Sequence, residues 1–253
     1  MLKRRIIPIQ LLLADRLVKT TCFGEWRDVG DPVKSSAVYN SQYADELILL
    51  NIDRDRASIE PLVDALRRIS EACFMPLAVG GGVNSSEDAA LLIESGADKV
   101  VINSAAYEDV DMLSRFTGRF GVQALIVSID VRCADDGSYA LFSNSGKTIQ
   151  DISIDQHIRT CESAGAGEFL IQSIDRDGVM DGYDLDLFRD VCSIATVPVI
   201  GAGGSGQYNH LKDAFLKTDV NALACGSLFN FSDSNPMRAK AYLSNYGLPF
   251  KVV

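Results

Sequence analysis

Short apolar runs alternate along the chain with longer segments whose apolar residues recur at helical spacing. The first of these apolar runs begins at residue 5. The eight runs end near residues 12, 52, 80, 102, 130, 174, 200 and 224. Over residues 58–73, Ile59, Leu62, Leu66 and Ile69 fall on one helix face. Further helices are predicted near residues 32–43, after residue 84, and near residues 110–116, 151–164, 184–192, 208–216 and 236–246. Eight strands alternating with eight helices predict a (β/α)8 TIM barrel, one domain over residues 1–253.

Motifs recur along the chain at a separation of 122 residues. Gly80 is matched by Ala202, and the Asp-Arg-Asp that starts at Asp53 is matched by the one that starts at Asp175. Internal repeats of this kind reflect repeated structural units. The sequence therefore predicts a barrel built from two similar half-barrels.

Two insertions interrupt the regular alternation. Residues 13–32 are polar and contain glycine, and they predict a long loop of the kind that is usually functional in a compact domain. Residues 133–145 predict a short hairpin around Asp135, Asp136 and Gly137. Both insertions follow strands at the end where barrel active sites lie.

Composition excludes several classes of protein. A formal net charge of −10 argues against a nucleic-acid-binding surface or an anionic membrane face. No run approaches the ~18 apolar residues of a membrane span. The 6 cysteines are scattered and there are only 2 histidines, so no metal site and no cofactor are predicted. Dispersed thiols favour a protein of the reducing cytoplasm.

A glycine-rich turn follows the third strand and precedes a helix with Asn84 and Ser85 at its start. Backbone N–H groups in such a turn, together with a helix N-terminus, can bind a phosphate. Such glycines also serve tight turns alone. The motif occurs again at Gly203 and Gly204, and this second copy favours phosphate binding. We therefore expect two phosphate sites that hold the ends of a phosphorylated small molecule.

Specific strings extend over nearly the whole chain: RRIIP, GDP at Gly30, ADEL at Ala44, VGGGV, GADKVVINSAA, GAGEFLIQSIDRDG, DGYDLDL and GAGG. Together they resemble the cyclase subunit of imidazole glycerol phosphate synthase. The resemblance implies that a glutaminase docks at the amino-terminal face of the barrel. It further implies that ammonia crosses the barrel core and reacts with a ribulosyl bisphosphate at the other end. In this family two aspartates, which end strands one and five, act as general acid and base.

The resemblance also assigns roles to residues of this sequence. Asp130 is the aspartate that ends strand five, and Lys19 matches a loop lysine that we count with the catalytic residues. The implied phosphate-binding residues are Gly81, Gly82, Asn103, Ser104, Asp177, Gly178, Gly203, Gly204, Gly226 and Ser227. The implied gate at the tunnel entrance consists of Arg5, Glu46, Lys99 and Glu168, and Asp98 matches a residue of the glutaminase interface. Charges at a barrel's amino end also serve simply to seal it.

The sequence departs from the family at the substrate end. Leu11 occupies the position of the first catalytic aspartate, and leucine cannot carry a proton. Asp15 lies in the following loop and could replace it only if that loop rearranged. Three further positions differ from the family pattern, namely Asn51, Gln172 and Ala202. An intact tunnel entrance with an altered cyclase site predicts a subunit that delivers ammonia elsewhere.

This combination resembles a paralogous group found with bacterial surface-polysaccharide genes, which shares the LVKT string at Leu17–Thr20. The resemblance implies a third partner, a sugar amidotransferase that converts an acetamido into an acetamidino group. Two alternatives remain open. The chain is an authentic cyclase of histidine biosynthesis, or it is a phosphosugar-binding barrel without chemistry. The GDP and ADEL strings favour the cyclase branch over the related ribosyl isomerase.

Overall fold

The computed structural model describes residues 3–53 and 58–251. The strands are β1 Arg5–Leu13, β2 Arg16–Thr20, β3 Trp26–Gly30, β4 Leu47–Asn51, β5 Leu77–Gly80, β6 Lys99–Ile102, β7 Leu125–Cys133, β8 Tyr139–Ser143, β9 Thr148–Gln150, β10 Glu168–Ser173, β11 Val199–Ala202 and β12 Ala222–Cys225. The helices are α1 Pro32–Ser41, α2 Glu60–Ser70, α3 Ser86–Glu94, α4 Ser104–Glu108, α5 Asp111–Phe120, α6 Ile154–Ser163, α7 Leu185–Ile194, α8 Tyr208–Lys217, α9 Ser227–Phe231 and α10 Pro236–Ser244.

Eight parallel strands close into a barrel in the order β1-β4-β5-β6-β7-β10-β11-β12. The pairing of β10 with β7 and of β12 with β1 removes both open edges of the sheet. Helices cover the outside and alternate with the strands along the chain. The predicted (β/α)8 barrel is confirmed. Among the described residues, no helix is long and apolar enough to cross a membrane.

The two halves of the barrel follow the predicted repeat. When 122 is added to each residue number, β5 falls on β11, and β4 falls within β10. In the first Asp-Arg-Asp motif, Arg54 and Asp55 lie outside the described residues. The repeat matters for the site because it places equivalent strands on opposite sides of the barrel.

The prediction of a loop over residues 13–32 is wrong. This segment forms β2 and β3, and β2 pairs antiparallel with both β1 and β3. Leu17 and Val18 are buried, so the segment carries enough apolar surface to pack as a strand. The polar residues around them misled the prediction. The hairpin predicted over residues 133–145 is confirmed, since β8 pairs antiparallel with β7.

The core has two parts. A large apolar cluster fills the layer between the barrel strands and the surrounding helices. A smaller cluster lies inside the barrel, and four of its members are alanines, namely Ala78, Ala202, Ala222 and Ala224. The other seven members are Ile, Leu and Val, the branched residues that usually dominate such interiors.

Candidate functional site

A cavity of about 860 Å³ opens at the carboxyl ends of the barrel strands, and we call it the mouth cavity. The sequence-predicted residues that line it are Lys19, Gly81, Gly82, Asn103, Ser104, Asp130, Asp177, Gly178, Gly203, Gly204, Gly226 and Ser227. Leu11, Asn51 and Gln172 line it as well. The barrel therefore brings the predicted catalytic and phosphate-binding residues together around one space of small-molecule size. Their roles remain predictions.

Lys19 is a buried cation in this cavity. Its Nζ donates a hydrogen bond to the backbone carbonyl of Ile9. Burial lowers the pKa of Lys19 to about 8, although the nearby charge of Asp177 opposes that change. A Cβ atom at Gly226 would lie 2.5 Å from Lys19 Nζ, so a larger residue there would displace the ammonium group from its present position. The fold thus places the amine of Lys19 inside the mouth cavity.

Asp177 connects the β2–β3 hairpin to the end of the barrel. Its carboxylate accepts hydrogen bonds from Thr20 Oγ1 at 2.6 Å and from the Phe23 backbone N–H at 3.3 Å. The Cys22 N–H donates to the Asp177 carbonyl at 2.9 Å. Burial raises the pKa of Asp177 despite these bonds and the nearby Lys19. The hairpin is therefore tied across one side of the mouth cavity.

Asp130 is buried and lies on β7, in register with Gln172 of β10 and Phe142 of β8. Near it lies Tyr107 of α4, whose pKa is raised by burial and by the charge of Asp130. Sequence reasoning missed this residue. It also missed His157 of α6, whose ring stacks on Tyr107 with centroids 4.0 Å apart. Neither lies in a motif, and 50 residues separate them along the chain.

Leu11 lies on β1, which is four strands from β7 in the closed order and so faces it across the mouth. Its side chain provides no group for proton transfer. Asp15 lies in the tight turn between β1 and β2 and lines a separate small depression with Asp64 and Arg68. It does not line the mouth cavity. Asp15 is therefore not placed to replace the catalytic aspartate that is missing at Leu11.

The glycines at the mouth have a structural requirement of their own. Gly81 has φ +90°, and a Cβ there would lie 2.0 Å from the Asn51 carbonyl oxygen. Gly204 has φ +107°, and its Cβ would lie 2.1 Å from the Gly182 carbonyl oxygen. These contacts explain the glycines without a ligand. Phosphate binding at these turns remains a prediction that the cavity makes geometrically reasonable.

The amino end of the barrel carries a closed charged ring of Arg5, Glu46, Lys99 and Glu168. Arg5 Nη1 lies 2.7 Å from Glu46, and Arg5 Nη2 also pairs with Glu168. Lys99 Nζ lies 3.0 Å from each of the two carboxylates. Each cation therefore contacts both anions, and the formal charges of the ring cancel. All four residues predicted for a gate meet at one place.

Asp98 lies at the same end and is exposed. Its carboxylate accepts a hydrogen bond from the Leu77 N–H at 2.8 Å, and its own N–H donates to the Leu77 carbonyl at 2.8 Å. These bonds join the beginnings of β5 and β6. A role in partner docking remains a prediction. Within residues 3–53 and 58–251, no group of three or more His, Cys, Asp or Glu side chains could hold a metal ion.

Comparison with known proteins gives two findings. Residues 5–234 match the family model described as histidine biosynthesis protein. The chain is also similar to the imidazole glycerol phosphate synthase subunit HisF of Hyphomonas neptunium (strain ATCC 15444). The two are 40% identical over 253 residues, which is 100% of each chain.

Proposed function

Since the chain belongs to the HisF family of histidine biosynthesis proteins, we propose that it is a barrel subunit that partners a glutaminase. In this proposal, ammonia released by the glutaminase enters at the charged ring, crosses the barrel axis and emerges at the mouth cavity. The observation that carries the proposal is the closed charged ring at one end of the barrel, with Leu11 at the other end.

The ring is suited to admit a small neutral molecule. Its two cations and two anions satisfy one another, so it presents no net charge to an approaching ligand. Moving one long side chain aside, such as Lys99, leaves the two carboxylates still paired with Arg5. Behind the ring, the barrel interior is lined by apolar side chains, four of them alanines, and in this proposal ammonia crosses that interior.

The acceptor of the ammonia lies, in this proposal, in a third protein. Ring closure by the family reaction requires proton transfer at two places, and Leu11 leaves Asp130 without its opposite carboxylate. A sugar amidotransferase that converts an acetamido into an acetamidino group fits a subunit that supplies ammonia without using it. Asp98, exposed beside the ring, is the proposed contact for the glutaminase.

A second candidate is that the chain itself catalyses the cyclase reaction. The full-length likeness to HisF favours it, as does the convergence of Lys19, Asp130 and the glycine turns on one cavity. Asp130 would then move the proton on its own side of the substrate. The Leu11 side would depend on solvent or on a group of the substrate itself.

One experiment separates the two candidates. The purified protein is combined with its glutaminase, and glutamine hydrolysis is measured with and without the barrel subunit. Turnover of the ribulosyl bisphosphate is measured in parallel with saturating ammonium salt, which removes the need for a partner. We expect stimulated glutamine hydrolysis without cyclisation. Cyclisation at a normal rate that is lost in Asp130→Asn would overturn the delivery role and establish the second candidate.

A further inference from the structure

Two opposite pairs of barrel strands contribute different kinds of side chain to the mouth cavity. At inward-facing positions, β1 and β4 carry apolar residues where β7 and β10 carry polar ones. We call the first set the apolar wall and the second the polar wall. The apolar wall consists of Ile9, Leu11 and Leu50. The polar wall consists of Ser128, Asp130 and Gln172.

The order of the barrel strands sets these walls face to face. In the closed order, β7 is four strands from β1, and β10 is four strands from β4. The glycine turns that follow β5 and β11 are also four strands apart, and they lie between the two walls. A ligand that spans the cavity from one glycine turn to the other therefore has one long edge against each wall.

Residues next to these strands extend the apolar wall with apolar side chains and the polar wall with a polar one. Leu13 and Ile52 follow the apolar residues of β1 and β4 and extend the apolar wall. Trp26 of β3 also lines the cavity, with 55% of its surface exposed. On the other side, Asn103 follows β6, next to β7. Its Oδ1 is buried and has no hydrogen-bond partner among the described residues. A buried acceptor without a partner is costly unless a ligand or water completes it.

We propose that the mouth cavity binds a phosphate ester with two unlike edges, an aliphatic or aromatic edge against the apolar wall and a hydrogen-bonding edge against the polar wall. The inference rests on the phosphate-binding part of the proposed function and specifies the class of ligand. The cavity volume of about 860 Å³ suits a small molecule rather than a protein segment.

The physical basis is unequal desolvation. A ligand with hydroxyl groups on both edges would lose water from the edge that faces Leu11 and Leu50 without gaining hydrogen bonds there. A ligand with an apolar edge loses nothing polar and buries apolar surface instead. Sites with one polar and one apolar side discriminate between such ligands mainly through the unpaired group.

Three probes test the inference: 7-hydroxy-1-naphthyl phosphate, which has a hydroxyl group on only one edge, ribose 5-phosphate and inorganic phosphate. Their affinities are measured by titration calorimetry and by the fluorescence of Trp26, the only tryptophan of the sequence, which lines the cavity. We expect 7-hydroxy-1-naphthyl phosphate to bind about tenfold more tightly than ribose 5-phosphate. Equal affinities, or tighter binding of the sugar phosphate, would overturn the inference.

The Leu11→Asp variant tests the wall itself. It should weaken binding of 7-hydroxy-1-naphthyl phosphate at least about fivefold and leave inorganic phosphate within about twofold. Leu216→Asp is the matched control, because Leu216 lies on α8 and is 52% exposed. If Leu11→Asp does not fold, Leu50→Asn makes the same test on β4. An unchanged preference in a folded variant contradicts the proposal.

The failure of this inference can be told apart from failure of the proposed function. If inorganic phosphate and both esters fail to bind, the phosphate sites and this inference are both wrong. Stimulation of the glutaminase is measured separately and depends on the charged ring at the opposite end of the barrel. A protein that stimulates glutaminase but binds the two esters equally keeps its delivery role and loses the proposed ligand class.

Discussion

Lys19 opposes the stability of the folded protein, because its ammonium group is buried in the mouth cavity. An ammonium group inside the mouth loses hydration, and its one hydrogen bond to a backbone carbonyl only partly replaces it. The folded protein therefore binds the Lys19 proton more weakly than the unfolded chain does. Glycine at position 226 leaves space beside this group.

We expect Lys19→Met to stabilise the protein at neutral pH. The pKa of Lys19 is about 8 when folded and about 10.5 usually, so its burial costs stability fully below pH 8 and progressively less up to pH 10.5. The gain should be about 1–3 kcal/mol at pH 7 and should shrink by pH 9.5. Urea unfolding of both proteins at the two pH values measures it. A gain that is the same at both would contradict the assigned cause.

His157 has the same relation to protons in a lower pH range. Burial lowers its pKa to about 4 from the usual 6.5. As the pH falls from 6.5 to 4, the unfolded chain takes up a proton that the folded protein excludes, so stability decreases. We expect His157→Phe, which can keep the stack on Tyr107, to remove about 2 kcal/mol of that decrease by pH 4.5.

Urea unfolding of wild type and His157→Phe at pH 7 and pH 4.5 makes the comparison. Leu216→Ala provides the control, since Leu216 is an exposed, non-titrating residue of α8 and its replacement should leave the acid-induced decrease as it is in the wild type. Identical decreases in wild type and His157→Phe would rule out His157 as the source.

At the scale of elements, the β2–β3 hairpin depends on a few bonds to Asp177. Thr20 donates to its carboxylate at 2.6 Å, and the Phe23 N–H donates to it at 3.3 Å. Elsewhere the hairpin is joined to the barrel mainly by the pairing of β2 with β1. Segments held by few contacts open more readily than the core.

Thr20→Val should loosen the hairpin without unfolding the barrel. Loss of a hydrogen bond to a carboxylate is worth about 1.5 kcal/mol, so the amide hydrogens of Cys22 and Phe23 should exchange about tenfold faster. Amide exchange followed by NMR measures this. In the control Thr148→Val, on β9, these two amides should exchange as in the wild type. Unchanged exchange in Thr20→Val would mean that the bond between Thr20 and Asp177 does not hold the hairpin.

At the scale of the whole molecule, the charged ring joins four distant parts of the chain. Arg5, Glu46, Lys99 and Glu168 begin or precede four different barrel strands, and only barrel closure brings them together. Both carboxylates are largely buried, so each needs its cations. The ring therefore contributes to barrel closure as well as to the proposed entry of ammonia.

Removal of one cation should be costly. Lys99→Met leaves two buried carboxylates sharing Arg5, and we expect a loss of about 2–3 kcal/mol of unfolding free energy. Lys217→Met removes an exposed lysine paired with Asp213 at 3.0 Å and should cost less than about 0.5 kcal/mol. Urea unfolding of both variants gives the comparison. Equal effects would show that the ring is no more than a surface ion-pair network.

The sequence by itself determined the alternation of strands and helices, the repeat of two halves and the positions of the glycine turns. These follow from local patterns: the spacing of apolar residues, and glycine where the backbone requires positive φ. Because the carboxyl ends of parallel barrel strands share one face, strand order alone predicted which residues would surround the mouth. The sequence also showed directly that position 11 carries leucine and therefore no carboxylate.

The tertiary structure alone decided the rest. The polar appearance of residues 13–32 concealed β2 and β3, because their pairing depends on β1 rather than on local composition. The stack of Tyr107 on His157 and the opposition of apolar and polar walls arise from contacts between segments far apart in sequence. Local patterns fix which face of an element is buried. Only closure and strand register fix which side chains that face meets.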